Sequence, residues 1–590
     1  MAPSSYIAAT ADAQPPQQQA PQKSLKYISG YDNEGTAIEQ QKRKALGLTG
    51  LLPSSIETMD IQRRRALQQV RSKSTMLEKY IFLAQLRSSN TRLFYKIIMD
   101  DLQEFAPVIY TPTVGTACVE YSNIYPFLAG PGVPDGLYID STDLTHLKET
   151  IANYKPVPNF SPEIAVITDG SRILGLGDLG SNGIGISIGK LQLYVAGAGI
   201  DPRRTLPIVL DLGTNNEKLR NDDFYLGLRK ARPADDEFYA TVDTVLSTIH
   251  DVYPDLLIQF EDWSSEHAFG LLEKYQDKLV CFNDDIQGTG AVILSGVINA
   301  IRKVQKENGV LPKDHRIVFY GAGSAAIGVA RQIQEYFQSE FGMSEDEARR
   351  VFWIVDSKGL VTLNRGDRLA QHKIYFARND NQDQQYKELI DIVNYVKPTA
   401  LIGLSSTPGA FNAKVLSRLA SINKQPIVFP LSNPATQAEC TFAEAMEATE
   451  NRVIFASGTA FPSYTVQSTG EVRIPGQGNN MYIFPGLGFA GVLAKPTMIS
   501  DGMIYSASKA LADSLTSEEL SQGWLYPSLI RIRQVSAIVA AAVIEQSIKE
   551  GLCQREQELK SLSHKELLDY VTSEMWTPTQ EGYGSLPSSI

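Results

Sequence analysis

Nine short apolar runs between residues 163 and 458 each end in polar or glycine residues and are followed by segments with helical periodicity. The runs are EIAVITDG, TLPIVLDLG, DLLIQFED, KLVCFNDD, RIVFYGAG, VFWIVDSKG, ALIGLSS, PIVFPLSN and NRVIFASG. This alternation is typical of parallel β-sheets whose strands are joined by crossover helices. Nine strands are more than one sheet comfortably holds, so we expect two sheets, with four runs before residue 290 and five after it.

The segments on either side of this region have a different pattern. Apolar residues recur three and four positions apart over residues 36–105 and again from residue 497 onwards, which predicts helices. We therefore expect an α/β protein with two parallel-sheet domains, an N-terminal helical domain and a C-terminal helical extension.

Charge and hydropathy exclude two classes of partner. The net charge is −11, and Lys and Arg are scattered rather than arranged in a stripe with aromatic residues, so we expect no nucleic-acid partner. The longest strongly apolar stretch near the C-terminus, Val535 to Ile544, is too short to cross a bilayer, so we expect no membrane partner.

The cysteines and the N-terminal segment bear on the compartment. The four cysteines contain no C-x-x-C pair, which suits a reducing compartment and predicts neither a disulfide framework nor a zinc site. Residues 1–24 are rich in Gln, Pro and Ala and contain neither Arg nor an apolar core. We therefore expect a disordered tail and a cytoplasmic location, with a mitochondrial location left open.

Two glycine motifs could each cradle the pyrophosphate of a dinucleotide. Gly321, Gly323 and Ala326 follow the run RIVFY, precede a long helical segment, and are followed by a strand ending in Asp356, as a Rossmann domain requires. In the first motif, which begins at Gly175, the residues SRIL separate strand from glycines, and Asp178 would repel a pyrophosphate. We therefore assign the dinucleotide to the second motif.

The first motif, formed by Gly175, Gly177 and Gly180, lies between Arg172 and Lys190. Arg can bind a carboxylate through two parallel hydrogen bonds, and a buried Lys beside other cations loses its proton more readily. This arrangement suits a dicarboxylate pocket with Lys190 as a base. A glycine-rich turn that only lets the backbone pack closely is the alternative.

Two acidic pairs end neighbouring predicted strands. Glu261 and Asp262 end one run, and Asp284 and Asp285 end the next. Carboxylates that converge at one sheet edge cannot all stay ionised without a cation, and oxygen ligands without His or Cys favour Mg²⁺ or Mn²⁺. We expect Glu261, Asp262 and Asp285 to bind the metal, the alternative being acids that simply close strands as turn formers.

Seven motifs stand in the order in which malic enzymes carry them, so the chain resembles that family from about residue 70 to about residue 560. They are YTPTVG (110–115), TDGSRILGLGDLG (168–180), QFEDW, FNDDIQGTG, GAGSAAIG, LSNPATQAEC and PGQGNNMYIFPG (475–486). The resemblance implies oxidative decarboxylation of L-malate to pyruvate and CO₂ with reduction of NADP or NAD. It also implies a homotetramer with the active site in a cleft between the two α/β domains.

The resemblance implies roles at the matching positions. Lys190 would take the C2-hydroxyl proton, and Tyr110 would protonate the enol of pyruvate. The metal ligands would be Glu261, Asp262 and Asp285, and the substrate would be bound by Arg172, Asn433, Asn479 and Asn480. The cofactor would be contacted by Arg172, Asp285, Gly321, Gly323, Ser324, Ala325, Ala326, Asp356, Ser357, Lys358, Lys373 and Asn433.

With the resemblance, the expected domain boundaries are as follows. We expect a tail (1–24), a helical domain (25–137), a substrate and metal domain (138–284 plus 480–551), a Rossmann domain (285–479) and a C-terminal extension (552–590).

The choice between NAD and NADP depends on the residues around Asp356. Asp356 alone favours NAD, because it can accept both ribose hydroxyls and repels a 2′-phosphate. Ser357, Lys358 and Lys373 could contact that phosphate, and the DSKGL form resembles the NADP-using branch of the family. We expect NADP, with dual use as an alternative and solvated surface lysines as the non-functional reading.

Three other functions fit part of the pattern. A catalytically silent dinucleotide sensor would have lost Lys190, Tyr110 or a metal carboxylate, yet all are present. An amino-acid dehydrogenase needs no metal and leaves the three carboxylates unexplained. A malolactic enzyme would use the same groups and return the hydride to pyruvate.

Overall fold

A computed structural model describes residues 29–128, 135–154 and 160–579, so the tail predicted for residues 1–24 lies outside the described residues. The first sheet has five parallel strands in the order β1-β3-β2-β4-β5. They are β1 (Leu137–Asp140), β2 (Ile164–Thr168), β3 (Thr205–Asp211), β4 (Leu257–Phe260) and β5 (Cys281–Asn283). This sheet contains the four apolar runs predicted before residue 290.

The second sheet contains the five later runs. Its order is β14-β11-β10-β9-β6-β7-β8, and every pair is parallel except β7 with β8. The strands are β6 (Ile317–Tyr320), β7 (Phe352–Asp356), β8 (Gly359–Leu360), β9 (Ala400–Gly403), β10 (Ile427–Pro430), β11 (Ile454–Ser457) and β14 (Gly476–Gln477). A separate antiparallel hairpin is formed by β12 (Tyr464–Thr465) and β13 (Val472–Arg473). The prediction of an α/β protein with two parallel sheets is confirmed.

Helices precede, cover and follow the two sheets. The N-terminal set is α1 (Gln40–Ala45), α2 (Met59–Arg71), α3 (Met76–Ser89), α4 (Thr91–Asp100), α5 (Leu102–Ile109), α6 (Thr113–Val119) and α7 (Tyr121–Ile124). The helices of the first sheet are α8 (Leu147–Asn153), α9 (Ile184–Ala198), α10 (Glu217–Arg220), α11 (Asp235–Val252) and α12 (Ser265–Tyr275). Those of the second are α13 (Thr289–Asn308), α14 (Ser324–Phe341), α15 (Glu345–Arg349), α16 (Gln371–Ile374), α17 (Leu389–Val396), α18 (Ala413–Ile422) and α19 (Phe442–Ala448). The C-terminal set is α20 (Phe484–Ala494), α21 (Asp501–Asp513), α22 (Ser517–Ser521), α23 (Ile532–Lys549), α24 (Glu556–Leu559) and α25 (His564–Glu574).

Helix α9 lies at the centre of the first half of the molecule. Every one of its side chains is buried, and it contacts β2, β3, α6, α20 and α23. Its glycines allow this density, since a Cβ at Gly185 would lie 2.8 Å from Sγ of Cys118. Any ionisable residue on α9 is therefore enclosed by protein, and Lys190 is such a residue.

Two further sequence expectations concern the cysteines and the membrane. All four cysteines are buried and free. Within the described ranges no helix is both long and apolar enough to cross a bilayer.

Candidate functional site

Three carboxylates meet where two neighbouring strands of the first sheet end. Glu261 and Asp262 follow β4, and Asp285 follows β5, its hydrogen-bonded neighbour. One oxygen of each carboxylate lies within 4.8 Å of the others. The backbone N–H of Asp262 donates to Oδ2 of Asp285 at 2.7 Å, which fixes the two strand ends relative to each other.

The electrostatics of these three groups suit a cation. Burial raises the pKa of Glu261, Asp262 and Asp285, and the neighbouring carboxylates raise it further. Ionising all three together is therefore unfavourable without a positive charge among them. A set of hard oxygen donors fits Mg²⁺ or Mn²⁺, so the residues present are compatible with the predicted metal.

Lys190 points into the same cluster from α9. Its Nζ lies 2.9 Å from Oε1 of Glu261 and donates a hydrogen bond to Oδ2 of Asp284. Burial lowers the pKa of Lys190, but the charges of Asp284 and Glu261 outweigh burial and hold the pKa well above its ordinary value. The expectation that neighbouring cations would lower this pKa is wrong, because the neighbours are carboxylates. With its carboxylates unneutralised, Lys190 is an ammonium ion.

Asp284 is a functional candidate in addition to the residues predicted from the sequence. Its carboxylate is fully buried, binds Lys190, and accepts a hydrogen bond of 3.0 Å from Nδ2 of Asn480. It begins a π-helical turn, Asp284–Gly288, a form that recurs at functional sites. Successive residues of this turn face different ways, so Asp284 meets Lys190 while Asp285 meets Asp262. The adjacent acids Asp284 and Asp285 are visible in the sequence, but only the fold shows that the two side chains have different partners.

Tyr110 lies directly beside Lys190 at the end of α5. The Nζ of Lys190 lies 5.3 Å from the centroid of the Tyr110 ring. Gly189 makes this approach possible, because a Cβ there would lie 3.3 Å from Cδ2 of Tyr110. Burial raises the pKa of Tyr110 and Lys190 only partly opposes the rise, so the phenol is protonated at neutral pH.

The first glycine motif forms a loop between β2 and α9. The backbone just before the glycines bonds to the carboxylate cluster, since the N–H groups of Arg172 and Leu174 donate to Asp262 at 3.2 and 3.1 Å. Asp178, whose charge argued against a pyrophosphate, is paired with Arg232 at 2.9 Å. Arg232 also binds Asp169 at 3.0 Å and so joins the two ends of the loop.

The four predicted substrate residues have different surroundings. Asn480 donates to both Asp284 and Thr289 at 3.0 Å, whereas the side chain of Asn479 accepts the N–H of Met481. Arg172 is exposed and donates to Oγ of Ser265. Asn433 is also exposed and precedes Pro434, whose Cδ would lie 3.1 Å from a Cβ at Gly175. The loop after β10 therefore touches the first glycine loop.

The second glycine motif has the geometry of a dinucleotide loop. β6 ends at Tyr320 and α14 begins at Ser324, so the turn between them is tight. Gly321 has φ of 126°, and a Cβ there would lie 2.4 Å from the carbonyl oxygen of Leu404, so only glycine fits. Apart from its two chain neighbours, no described residue has an atom within 4 Å of a Cβ built at Gly323, which leaves room for a ligand against the backbone. Ala325 is exposed and Ala326 is buried in the first turn of α14.

The acidic residue at the end of β7 is already paired with two cations. Arg365 donates to both oxygens of Asp356 at 2.7 and 2.9 Å, and Nζ of Lys373 lies 2.9 Å from Oδ2. Burial raises the pKa of Asp356, but these cations outweigh it and lower the pKa to about 2. Ser357 and Lys358 are exposed, and Nζ of Lys358 binds Asp367 at 2.9 Å. Arg365 was not predicted from the sequence.

Comparison with known proteins places this site in a family. Residues 87–276 match the family model of the malic enzyme N-terminal domain, and residues 286–548 match that of the malic enzyme NAD-binding domain. The chain is 48% identical to an NADP-dependent malic enzyme of Dictyostelium discoideum, over 88% of this chain and 93% of that protein. The chain belongs to the malic enzyme family.

Other malic enzymes agree with this membership. An NADP-dependent malic enzyme of Vitis vinifera is 40% identical over 93% of this chain and 90% of its own length. The crystal structure of the Entamoeba histolytica malic enzyme is similar with a TM-score of 0.52 at 22% identity, covering 90% of each chain, which shows a shared fold. The resemblance to malic enzymes is confirmed.

Proposed function

We propose that this malic enzyme catalyses the divalent-cation-dependent oxidative decarboxylation of L-malate to pyruvate and CO₂, with reduction of NADP or NAD. The observation that carries the proposal is the contact of Lys190 with Glu261, inside a cluster that also contains Asp262 and Asp285. The proposed base and the proposed cation site then form one cluster of side chains. The names of the relatives at 40–48% identity support the same reaction.

Lys190 is the proposed base. Glu261 forms an ion pair with Lys190 and is also one of the proposed metal ligands. Neutralising its charge with a cation therefore removes one of the interactions that raise the pKa of Lys190. Lys190 then accepts the proton of the C2 hydroxyl, while Asp284 keeps the amine oriented. A divalent cation held by Glu261, Asp262 and Asp285 would supply a Lewis acid for the hydroxyl and carboxylate oxygens of malate, and a bound nicotinamide would supply the hydride acceptor.

Tyr110 is the proposed acid. Its phenol is neutral at physiological pH and so has a proton to donate. After CO₂ leaves, it protonates C3 of the enolate to give the methyl group of pyruvate, and Lys190 can return the C2-hydroxyl proton to the phenolate. Burial of Tyr110 and Lys190 keeps bulk water from their polar atoms, which favours transfer between side chain and substrate over exchange with solvent.

Binding of malate is proposed to involve both halves of the cleft. Arg172 and the amides of Asn433, Asn479 and Asn480 supply donors for carboxylate oxygens. Asn480 donates a hydrogen bond to Asp284. Asn433 is followed by Pro434, which lies next to Gly175 of the first glycine loop. Closure of the two α/β domains on the substrate would complete the pocket.

The cofactor is proposed to be NADP in preference to NAD. Asp356 is paired with Arg365 and Lys373, and Arg365 also binds Asp367 at 2.8 Å, so a 2′-phosphate meets cations beside a carboxylate that is not free. Ser357 and Lys358 are exposed at the same strand end and can add hydrogen bonds. The pyrophosphate is proposed to bind at Gly321, Gly323 and the first turn of α14, and Asp285, Arg172 and Asn433 to approach the nicotinamide half.

We also propose domain boundaries, an oligomeric state and a compartment. We infer domains at residues 25–137, 138–284 plus 480–551, 285–479 and 552–590, as expected from the sequence. Large apolar side chains are exposed in the N-terminal segment, among them Leu51 and Ile56 between α1 and α2 and Phe127 after α7. They support association of copies, and we propose a homotetramer. Four free thiols support a reducing compartment such as the cytoplasm.

One assay tests the reaction. Purified protein with L-malate and Mn²⁺ should raise the absorbance at 340 nm faster with NADP than with NAD, and pyruvate should accumulate in equal amount. Lactate in place of reduced cofactor would identify a malolactic reaction, and dinucleotide binding without turnover would identify a sensor. Either result would overturn the proposal.

A further inference from the structure

Glu439 is a fully buried carboxylate at the edge of the cofactor site, held by neutral donors alone. It accepts hydrogen bonds from the backbone N–H and the hydroxyl of Ser405, both at 3.0 Å. It also accepts from the hydroxyl of Ser432 at 2.5 Å and from its backbone N–H at 3.4 Å. No ion pair to Glu439 occurs in the part of the chain that the structure describes. Three of these donors reach Oε1 and the backbone N–H of Ser432 reaches Oε2, so neutral groups provide hydrogen bonds to both oxygens of the buried side chain.

The two serines belong to loops that follow adjacent strands. Ser405 follows β9 and Ser432 follows β10, and the two strands pair in parallel. The carboxyl carbon of Glu439 would lie 2.4 Å from a Cβ at Gly403, so β9 ends in glycine where the carboxylate enters. The N–H of Ser406 donates to Oγ of Ser432 at 2.9 Å, which adds a direct hydrogen bond between the loop after β9 and the loop after β10. Glu439 therefore ties the two loops to each other.

Each loop leads to a different half of the catalytic site. The carbonyl oxygen of Leu404, next to Ser405, lies 2.4 Å from the Cβ position of Gly321 in the dinucleotide loop. Ser432 directly precedes Asn433, the amide proposed to bind malate, and Pro434 contacts Gly175 of the first glycine loop. A displacement of Glu439 would thus move both the dinucleotide loop and the loop that carries Asn433.

We propose that Glu439 is a positioning residue that holds the dinucleotide loop and Asn433 in one fixed arrangement. This arrangement sets the position of bound malate relative to the bound cofactor. The proposal rests on the proposed function in assigning Asn433 to malate. A carboxylate suits this position because its Oε2 faces the backbone N–H of Ser432, where the NH₂ group of a glutamine would meet it donor to donor.

The test compares Glu439→Gln with Glu444→Gln. Glu444 lies five residues further on and also accepts a backbone N–H and a hydroxyl, both of Thr441, but these bonds cap α19 and involve neither Ser405 nor Ser432. We expect Glu439→Gln to raise the KM for malate about tenfold, the equivalent of about 1.4 kcal/mol. We expect a similar rise in the Kd for NADP, measured by calorimetry without malate, and a smaller change in kcat. Unchanged KM and Kd would overturn the proposal, as would equal effects of Glu444→Gln.

A double-mutant cycle separates positioning from general stability. If Glu439 acts through Asn433, Glu439→Gln should raise the malate KM far less in an Asn433→Ala background than in the wild type. Additive effects would overturn the link to Asn433.

Two milder variants serve if Glu439→Gln does not fold. Ser405→Ala should weaken NADP binding more than malate binding, and Ser432→Ala should do the reverse. A lower melting temperature with unchanged KM and Kd in both would reduce Glu439 to a structural residue and overturn the proposal. If the wild type does not oxidise malate, the proposed function fails, whereas NADP titration of the same variants still tests the cofactor half of the link.

Discussion

The ammonium group of Lys190 lies 2.9 Å from Oε1 of Glu261, one of the three carboxylates that could hold a metal. Because Glu261 faces both the amine and the other carboxylates, its charge influences the proton affinity of Lys190 directly. The proposed base and the proposed metal ligands therefore form one electrostatic unit rather than two adjacent sites.

Lys190→Ala should abolish malate oxidation. Loss of a general base lowers kcat by about 10²–10⁴-fold, and no proposed metal or cofactor ligand is removed. Steady-state kinetics should show this loss while Mn²⁺ and NADP binding persist. Lys190→Met, which fills the same buried space, controls for a cavity, and near-normal turnover in either variant would rule out Lys190 as the base.

Tyr110→Phe should slow protonation of the enol while leaving the pocket filled. The ring still packs against Gly189, so only the hydroxyl proton is lost. In deuterated water, deuterium should enter the methyl group of added pyruvate more slowly, as measured by NMR, because enolisation of pyruvate needs the same proton transfer in reverse. Unchanged incorporation would place the acid elsewhere.

Asp285→Ala should remove dependence on the metal together with activity. The variant deletes one of three converging carboxylates and also the acceptor for the N–H of Asp262. Mn²⁺ titration followed by electron paramagnetic resonance should show a large loss of affinity. Asp277→Ala, at an exposed position of the same domain, is the matched control. Retained stimulation by Mn²⁺ in Asp285→Ala would point to other ligands.

The strands that could be predicted are those buried on both faces. β2 is buried at all five positions, so its sequence is a continuous apolar run. β1 escaped prediction because it is an edge strand whose four residues alternate between buried and exposed. The two-residue strands β8 and β14 are too short to leave a pattern in the sequence.

For the candidate site, the sequence indicated residue types at strand ends but not their partners. Glu261, Asp262 and Asp285 could be placed together because β4 and β5 are consecutive and adjacent. Arg365 could not be placed, since its contact with Asp356 depends on how the loop after β8 folds back. The neighbours of Lys190 were likewise set by tertiary packing, which is why the direction of its pKa shift was predicted wrongly.

His315 should make the stability of the protein depend on pH. Burial lowers the pKa of His315 from 6.5 to about 4. As the pH falls, His315 therefore becomes protonated near pH 6.5 in the unfolded chain but only near pH 4 in the folded chain. Stability present above pH 6.5 is therefore lost as the pH falls from 6.5 to 4, by up to about 1.4 kcal/mol per pH unit.

Denaturant unfolding at several pH values between 7 and 4 measures this contribution. His315→Gln cannot titrate, so its stability should fall less steeply than that of the wild type over this range. His146→Gln, whose side chain is 71% exposed, should behave like the wild type. Parallel curves for wild type and His315→Gln would show that His315 is protonated equally in both states.

Lys373→Gln should change the choice of cofactor. Lys373 and Arg365 share Asp356, and removal of Lys373 leaves that carboxylate paired with Arg365 but takes one cation away from the proposed 2′-phosphate site. A lost charge-assisted hydrogen bond should raise the KM for NADP about ten- to a hundredfold and leave the KM for NAD nearly unchanged. Lys387→Gln, at an exposed lysine of the same domain, should alter neither constant. Equal effects of Lys373→Gln on both cofactors would remove Lys373 from the 2′-phosphate site and leave Arg365 as the cation that matches it.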